Sequence, residues 1–391
     1  MLVWLRFAWV LRRIDARPTV AGIDGALPPE VAWPKLSVVV ACRNEEGALR
    51  AAISSLLAQD YPSLELVAVD DRSEDATGGI LDELSATHPA LRVLHLDTLP
   101  VGWLGKTNAL HQGAAHASGD FLLFTDADVL FAPGTLRRAI AWAVRDDLGH
   151  AVALPHFLAP GLLERAFVSL FALFLLVHLR ADAIGRPGGR AHIGIGAFNL
   201  VRRDAYAAIG GHQLLRFEIA DDVKLGLLLA RTGARQGCLD SGGLVRVRWQ
   251  RGFVASMRGL VKNSFAGLEY RWGHTLATAF LVPFLTTFPF AYTLLGAGGL
   301  TRALAAASLA LSVALHGATA RRLAGGRGYE GLLLPVGGLA VAAVVLASAL
   351  AATLRGAVIW RGTRYDLREL RAACVRAKNW PPGTQGTRDE S

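Results

Sequence analysis

The sequence predicts an α/β domain built on a mostly parallel sheet flanked by helices, followed by a C-terminal transmembrane helical region. Three observations carry this. Short β-branched runs alternate with helical stretches through the first third of the 391 residues. Polar clusters follow those runs, where a parallel sheet of this kind binds ligands. Three long apolar runs occupy the last third.

In chain order, residues 1–34 read as an N-terminal segment and linker. Residues 1–11 are apolar but interrupted by Arg6 and followed by Arg12 and Arg13. They are too few to span a bilayer, and their charges follow the apolar stretch instead of preceding it as in a signal peptide. An interfacial helix or a shortened anchor is expected. Residues 36–41, 64–69, 92–96 and 120–125 read as strands, with helices at 46–59, 75–87 and 107–117 between them. A further helix follows Pro133, which suits a first helical position. Residues 162–179 are apolar apart from Glu164, Arg165 and His178. They fit a helix lying on a membrane surface and a core helix equally well. The α/β domain extends over 35–270.

Residues 275–301 and 331–354 carry no charged side chain, and 303–320 carries only His316. A bilayer span needs about 20 mostly apolar residues, so the outer runs qualify and the middle one is marginal. This assigns 271–356 to two or three spans and 357–391 to a basic cytoplasmic tail. The net charge of +9 comes from 41 basic and 32 acidic residues. Membrane contact explains this charge better than nucleic acid does, because the arginines flank apolar runs instead of forming a stripe with stacking aromatics, and no nucleic-acid partner is expected. Arg258, Lys262 and Arg271 precede the first run, and Arg321, Arg322 and Arg327 follow the second. That is the positive-inside pattern of a cytoplasmic membrane face. The tail, with Arg355, Arg361, Arg364, Arg368, Arg371, Arg376 and Lys378, reads as cytoplasmic too, whereas three crossings would put it outside. One run is therefore expected not to cross: 275–301, broken or re-entrant at Pro283 and Pro289, or 303–320, as too short. Cys42, Cys238 and Cys374 lie far apart with no CxxC pair, which fits a reducing compartment without a zinc site or disulfide framework.

Asp126 and Asp128 stand two apart at the end of the fourth strand, so both carboxylates can reach one side. A hard divalent cation is held in this way, by one or two carboxylates plus substrate phosphates; a polar turn is the plainer alternative. Asp70 and Asp71 end the second strand, where a carboxylate can accept hydrogen bonds from a base or a ribose. Alternatively, Asp75 caps the next helix and its neighbours are solvated. Gly102 to Thr107 has the look of a phosphate loop, but Pro100 stands where that motif needs glycine. Lys106 at a helix start still suits a diphosphate. Asp221 and Asp222 open an apolar helix, either as cap and dipole charges or with one of them a general base for an acceptor hydroxyl. Arg248 and Trp249 suit a diphosphate and a sugar ring, or an anchor at a membrane interface.

Read in order, Ser37 to Glu46, Val69-Asp70-Asp71-Arg72-Ser73, Gly105-Lys106-Thr107-Asn108-Ala109-Leu110 and Thr125-Asp126-Ala127-Asp128 form one set. It continues with Gly196 to Arg203, Ile209-Gly210-Gly211 and Ala220-Asp221-Asp222-Val223-Lys224-Leu225-Gly226. This set resembles the family-2 glycosyltransferases, with their glycosyltransferase A-type nucleotide-binding domain, over roughly residues 35 to 270. The membrane tail, with Trp360-Arg361-Gly362-Thr363-Arg364-Tyr365, is similar to the bacterial branch acting on lipid acceptors, such as hopanoid-associated, carotenoid and ceramide glycosyltransferases. The resemblance implies that Asp71, with Asp70 beside it, contacts the nucleobase and that Lys106 and Asn108 line the donor site. It implies that Asp126 and Asp128 hold Mg²⁺ or Mn²⁺ on the diphosphate. Asp222 becomes the catalytic base, with Asp221 in place of the usual Glu. Arg248 and Trp249 join the donor residues, although Val245 stands where Gln or Arg is often found. The implied reaction is inverting transfer from a nucleotide sugar, a UDP-sugar first, to a lipid hydroxyl at the cytoplasmic face of the plasma (inner) membrane. Transfer to a polyprenyl phosphate and a non-catalytic nucleotide-sensing scaffold are the alternatives.

Overall fold

The computed structural model describes residues 1–186, 189 and 191–376; Lys378 of the basic tail lies outside them. The chain forms two compact units. An α/β unit takes residues 18–155, 183–247 and the chain from 373 onward, and a helical unit takes 1–17, 156–182 and 248–372.

The α/β unit contains β1 (Leu36–Cys42), α2 (Leu49–Leu57), β2 (Leu64–Asp71), α3 (Thr77–Thr87), β3 (Leu91–Leu96) and α4 (Gly105–His116). Then come β4 (Phe121–Asp126), β5 (Val129–Phe131), α5 (Thr135–Arg145), β6 (His150–Leu154), β8 (Asn199–Arg202), α7 (Arg203–Ala208), α8 (Asp221–Arg231), β9 (Gln236–Asp240) and β10 (Val245–Val247). The main sheet has the order β3-β2-β1-β4-β8-β6-β9. Pairs β1–β2, β1–β4, β2–β3 and β6–β9 are parallel, and β8 runs antiparallel to β4 and β6. Inner strand β1 is apolar apart from Ser37, as suits a strand covered by helices on both faces. Val39, Val67, Val69, Leu122 and Phe124 of the sheet pack with Leu110 and Ala114 of α4 and Leu225, Leu228 and Leu229 of α8. Gly113 lets α4 approach, since a Cβ there would overlap the Val39 side chain.

Several boundaries differ from the sequence reading, each for a local reason. Strands β2 and β4 run on to Asp71 and Asp126, because those residues still pair: Asp71 stands opposite Leu96, and the Asp126 N–H donates to Gly196 O at 3.1 Å. Helix α2 starts three residues late, after Asn44 turns the chain at φ 52°, while Glu46 spends its carboxylate on the Ala76 N–H. Asp75 is not the cap of α3: the helix begins at Thr77 with Ala76 at the cap position, and the Asp75 carboxylate accepts from the Thr77 N–H (3.0 Å) in the turn leading into it. Pro133 does not open α5: left-handed Gly134, at φ 75°, caps it and leaves the proline outside.

The helical unit contains α1 (Leu2–Asp15), β7 (His156–Phe157), α6 (Leu162–His178), α9 (Phe253–Gly267), α10 (Trp272–Leu295), α11 (Leu300–Ala324) and α12 (Leu334–Arg355). It ends with the hairpin β11 (Ala357–Trp360) to β12 (Thr363–Asp366) and with α13 (Leu367–Ala373). Helix α6 is a core helix: Phe167, Leu170 and Leu173 are fully buried. Helices α10, α11 and the stretch Tyr329–Arg355 are each long and apolar enough to cross a membrane. The middle run is thus not short, as α11 has 25 residues. Nor is the first run broken: α10 continues through Pro283 and Pro289, as an apolar helix can when neighbouring groups take up the freed backbone. Gly337 and Gly338 bring α12 against Leu170 and Thr286, where any Cβ would collide, the close approach that small residues allow between apolar helices. Glu330 is fully buried but satisfied, by Arg165 Nε at 2.6 Å and the Gly328 N–H at 2.7 Å.

Candidate active site

The carboxyl edge of the parallel strands gathers four acidic side chains, Asp126, Asp128, Asp221 and Asp222, around Lys106. Asp126 ends β4, and the following turn carries Asp128. From the first turn of α4, Lys106 places Nζ 2.7 Å from Asp126 Oδ1 and 3.6 Å from Asp221 Oδ1. Burial opposes a charged lysine, but the carboxylates of Asp126, Asp221 and Asp222 more than restore it and hold the ammonium protonated. Asp222 is held by two backbone donors, Gly196 N–H to Oδ2 and Val223 N–H to Oδ1, both at 2.8 Å.

Gly196 joins the two carboxylate sites. Its carbonyl accepts from the Asp126 N–H, and its N–H donates to Asp222. A Cβ on it would come within 2.7 Å of Asp126 Oδ2 and 3.5 Å of Asp222 Oδ2. The loop before it seats on the start of α8 for the same reason. A Cβ on Gly194 would overlap the Asp222 carbonyl, and one on Gly226 the Ile193 carbonyl. Residues about a hundred apart in sequence thus meet because three glycines let backbone touch backbone.

The electrostatics follow from this crowding. Asp128 is pushed up to about 7 by burial and then by the charges of Asp126 and Glu45. Asp221 is also pushed up to about 7 by burial, with Lys106 pulling the other way. Burial likewise raises Asp222, which moves it toward the range a general base needs near neutrality.

Asp70 and Asp71 are buried at the end of β2 and already have protein partners. Asp70 accepts from the Ser73 N–H at 3.2 Å and pairs with His95 Nδ1 at 3.1 Å, while His95 Nε2 meets Asp82 at 3.0 Å. Asp71 takes Arg72 in a bidentate pair at 2.8 and 3.0 Å, with Arg43 at 3.7 Å. Arg72 adopts φ 57° to reach back in this way. A Cβ at Gly105 would overlap Asp71 Oδ2, so the glycine before Lys106 sets the start of α4 against β2. Asn108 is 2% exposed, and its Oδ1 has no hydrogen-bond partner among the described residues.

Of the expected site residues, the structure brings Lys106, Asp126 and Asp222 together, with Asp221 and Asp128 beside them, and sets Asp70 and Asp71 on the neighbouring strand edge. Arg248 and Trp249 belong to the helical unit, where the Trp249 ring stacks on Phe171 at 5.4 Å. Sequence reasoning assigned no role to Gly196, Glu45 or His95. The glycine stood inside a quoted stretch, and only its double contact reveals what it does.

A mostly parallel sheet with acidic residues clustered at its carboxyl edge is the class of domain the resemblance led us to expect. Residues 37–210 match the family model described as glycosyl transferase family 2. The chain is similar to the beta-monoglucosyldiacylglycerol synthase of Synechocystis sp., 30% identical over 224 residues, covering 55% of this chain and 43% of the relative. It is also similar to the 4,4'-diaponeurosporenoate glycosyltransferase of Staphylococcus aureus, 24% identical over 235 residues, covering 59% and 61%. The chain thus spans about half the length of the curated relatives it matches. Among solved structures, the mannosyltransferase PcManGT from Pyrobaculum calidifontis, in complex with GDP-Man and Mn²⁺, shares the fold. Its TM-score is 0.57 at 21% identity, over 90% of this chain and 94% of that one.

Proposed function

We propose that the protein is an inverting glycosyltransferase that moves a sugar from a nucleotide-sugar donor, a UDP-sugar first, to a lipid hydroxyl at a membrane surface. The observation that carries this reading is Gly196, whose single backbone unit holds Asp126 and Asp222 at a fixed spacing. In this reading the acceptor oxygen attacks the anomeric carbon as Asp222 takes its proton. The bond from that carbon to the diphosphate breaks, and nucleoside diphosphate leaves. Lys106 stands beside Asp126, on the side where charge develops on the leaving diphosphate. The relatives named for glucosyldiacylglycerol and diaponeurosporenoate support a lipid acceptor.

The residues present fit a divalent ion. Among the described residues no three His, Cys, Asp or Glu form a closed metal cage, and Mg²⁺ or Mn²⁺ at such sites is completed by substrate phosphates. Burial raises Asp128 first, and the charges of Asp126 and Glu45 add a repulsion of the kind a cation relieves. Asp126 and Asp128 would hold the ion, which would neutralise the departing diphosphate. The neighbour solved with Mn²⁺ supports this by likeness of fold.

Asp222→Asn is expected to lower transfer to a lipid hydroxyl by at least about 100-fold, measured with purified protein, radiolabelled sugar nucleotides and a lipid panel. Full turnover in that variant would instead favour a polyprenyl phosphate acceptor, which needs no base.

We further read the tail as lying on the same membrane face as the α/β unit, the cytoplasmic one. Its support is that Lys224 Nζ and Arg231 Nη2 of α8 donate to the carbonyls of Val375 and Arg376, at 2.5 and 2.9 Å. A chain that leaves the α/β unit at Arg248 and returns by Ala373 makes an even number of complete crossings, although three of its helices are long enough to cross.

A further inference from the structure

Helix α1 carries a second feature, unrelated to the carboxylate site. Its inner face, Trp4, Phe7, Leu11 and Ile14, is buried in the helical unit. Its outer face changes character along its length. Leu2 is 83% exposed and Leu5 49%; next comes Trp9, 42% exposed, and then Arg12 and Arg13. At 1.5 Å per residue, Leu2 and Arg13 stand about 16 Å apart. That is about half the hydrocarbon thickness of a bilayer. The order apolar, tryptophan, arginine is the order of acyl chains, interface and headgroup.

At the cationic end the surface is concave. Trp9, Arg12, Arg13, Ala16 and Arg17 line a groove of about 480 Å³. The guanidinium groups of Arg6 and Arg13 lie over the Trp9 ring, at 4.6 and 5.3 Å from its centroid. The carboxylates of the nearby acids have partners other than Arg12 and Arg13: Asp15 pairs with Arg322 and Asp182 with Arg6, while Arg17 donates to the Asp182 carbonyl at 3.1 Å. Three arginines around a groove exceed what a helix dipole asks of its last turn. Guanidinium forks match phosphate oxygens.

We propose that this groove binds the phosphate of an anionic phospholipid headgroup, with Trp9 at the glycerol level and Leu2 and Leu5 among the acyl chains. The site rests on the membrane reading above but not on the catalytic one. Phosphatidylglycerol is the probe, with phosphatidylcholine as the neutral comparison.

The full-length protein, purified in detergent, would be titrated with each lipid and the bound lipid counted by native mass spectrometry. Wild type is expected to bind phosphatidylglycerol more tightly than phosphatidylcholine. With each basic residue near the surface contributing about fivefold, the Arg12→Gln/Arg13→Gln pair is expected to weaken phosphatidylglycerol roughly 25-fold. The Arg12→Lys/Arg13→Lys pair, which keeps the charge, should retain most of the binding. Equal binding by wild type and the glutamine pair would overturn the site, as would equal affinity for the two lipids. Glycerol phosphate binding as tightly as the lipid would refute the headgroup assignment. Carbonate extraction of the membranes tests the underlying reading separately: release of wild type into the soluble fraction would remove both.

Discussion

At Gly196, one backbone unit accepts from Asp126 and donates to Asp222. The backbone that carries the proposed metal carboxylate is thereby tied to the carboxylate of the proposed base. Adding a methyl group there puts carbon 2.7 Å from Asp126 Oδ2, closer than real contacts allow, so one carboxylate must shift. A displacement of about 1 Å at a reacting centre costs about 100-fold in rate. Gly196→Ala is therefore expected to lower kcat by about that factor, with a far-ultraviolet spectrum like wild type. Unimpaired turnover would show that the coupling is not needed. At this scale the sequence was partly legible. Asp126, Asp128 and Asp222 were legible as candidates through their order along the chain, since an acid at a strand end or a helix start is common by itself. The role of Gly196 was not, because hydrogen bonds between backbone groups leave no side-chain signature.

Among the elements, the start of β2 shows how the sheet is pinned at the end away from the site. Glu65 accepts from the Ser37 hydroxyl, from the N–H and hydroxyl of Ser118, and pairs with Lys35 at 3.0 Å. Burial pushes its carboxyl up, but these hydrogen bonds win and bring it down to about 2 from an ordinary 4.5. A folded value below the unfolded one stabilises fully above the unfolded value and loses that stabilisation as pH falls toward the folded value. Stability should therefore drain between pH 4.5 and 2 through this group. Glu65→Gln is expected to cost about 2 kcal/mol at neutral pH and to flatten that acid limb. Thermal melts of both proteins across the range check this; identical acid limbs would dismiss the assignment. Element identities were legible from period and length. Their ends were not, because β4 reaches Asp126 by pairing with Ala41 of β1 and by donating to the carbonyl of Gly196, residues in other parts of the chain.

For the whole molecule, the end of the chain carries the proposed topology. The tail's hydrogen bonds to α8 put Val375 and Arg376 in the α/β unit. Since Cys42, Cys238 and Cys374 are all buried, single introduced cysteines report cleanly. With Glu83→Cys on α3 and Arg361→Cys in the β11–β12 turn, a membrane-impermeant maleimide should label neither in intact cells and both after lysis. Labelling of the Arg361→Cys protein alone in intact cells would mean an odd number of crossings. The sequence by itself determined the alternating α/β pattern, the acidic clusters at the strand ends and the three apolar helices, because period, charge and length are local properties. It also raised the conflict between three apolar runs and a basic tail without resolving it. Only the tertiary structure decided that α10 runs unbroken through its prolines, that α6 is core, and that Lys106, Asp126, Asp221 and Asp222 share one place. Those outcomes depend on which surfaces find each other across long separations, and glycines that admit backbone contact record such meetings only after the chain has folded.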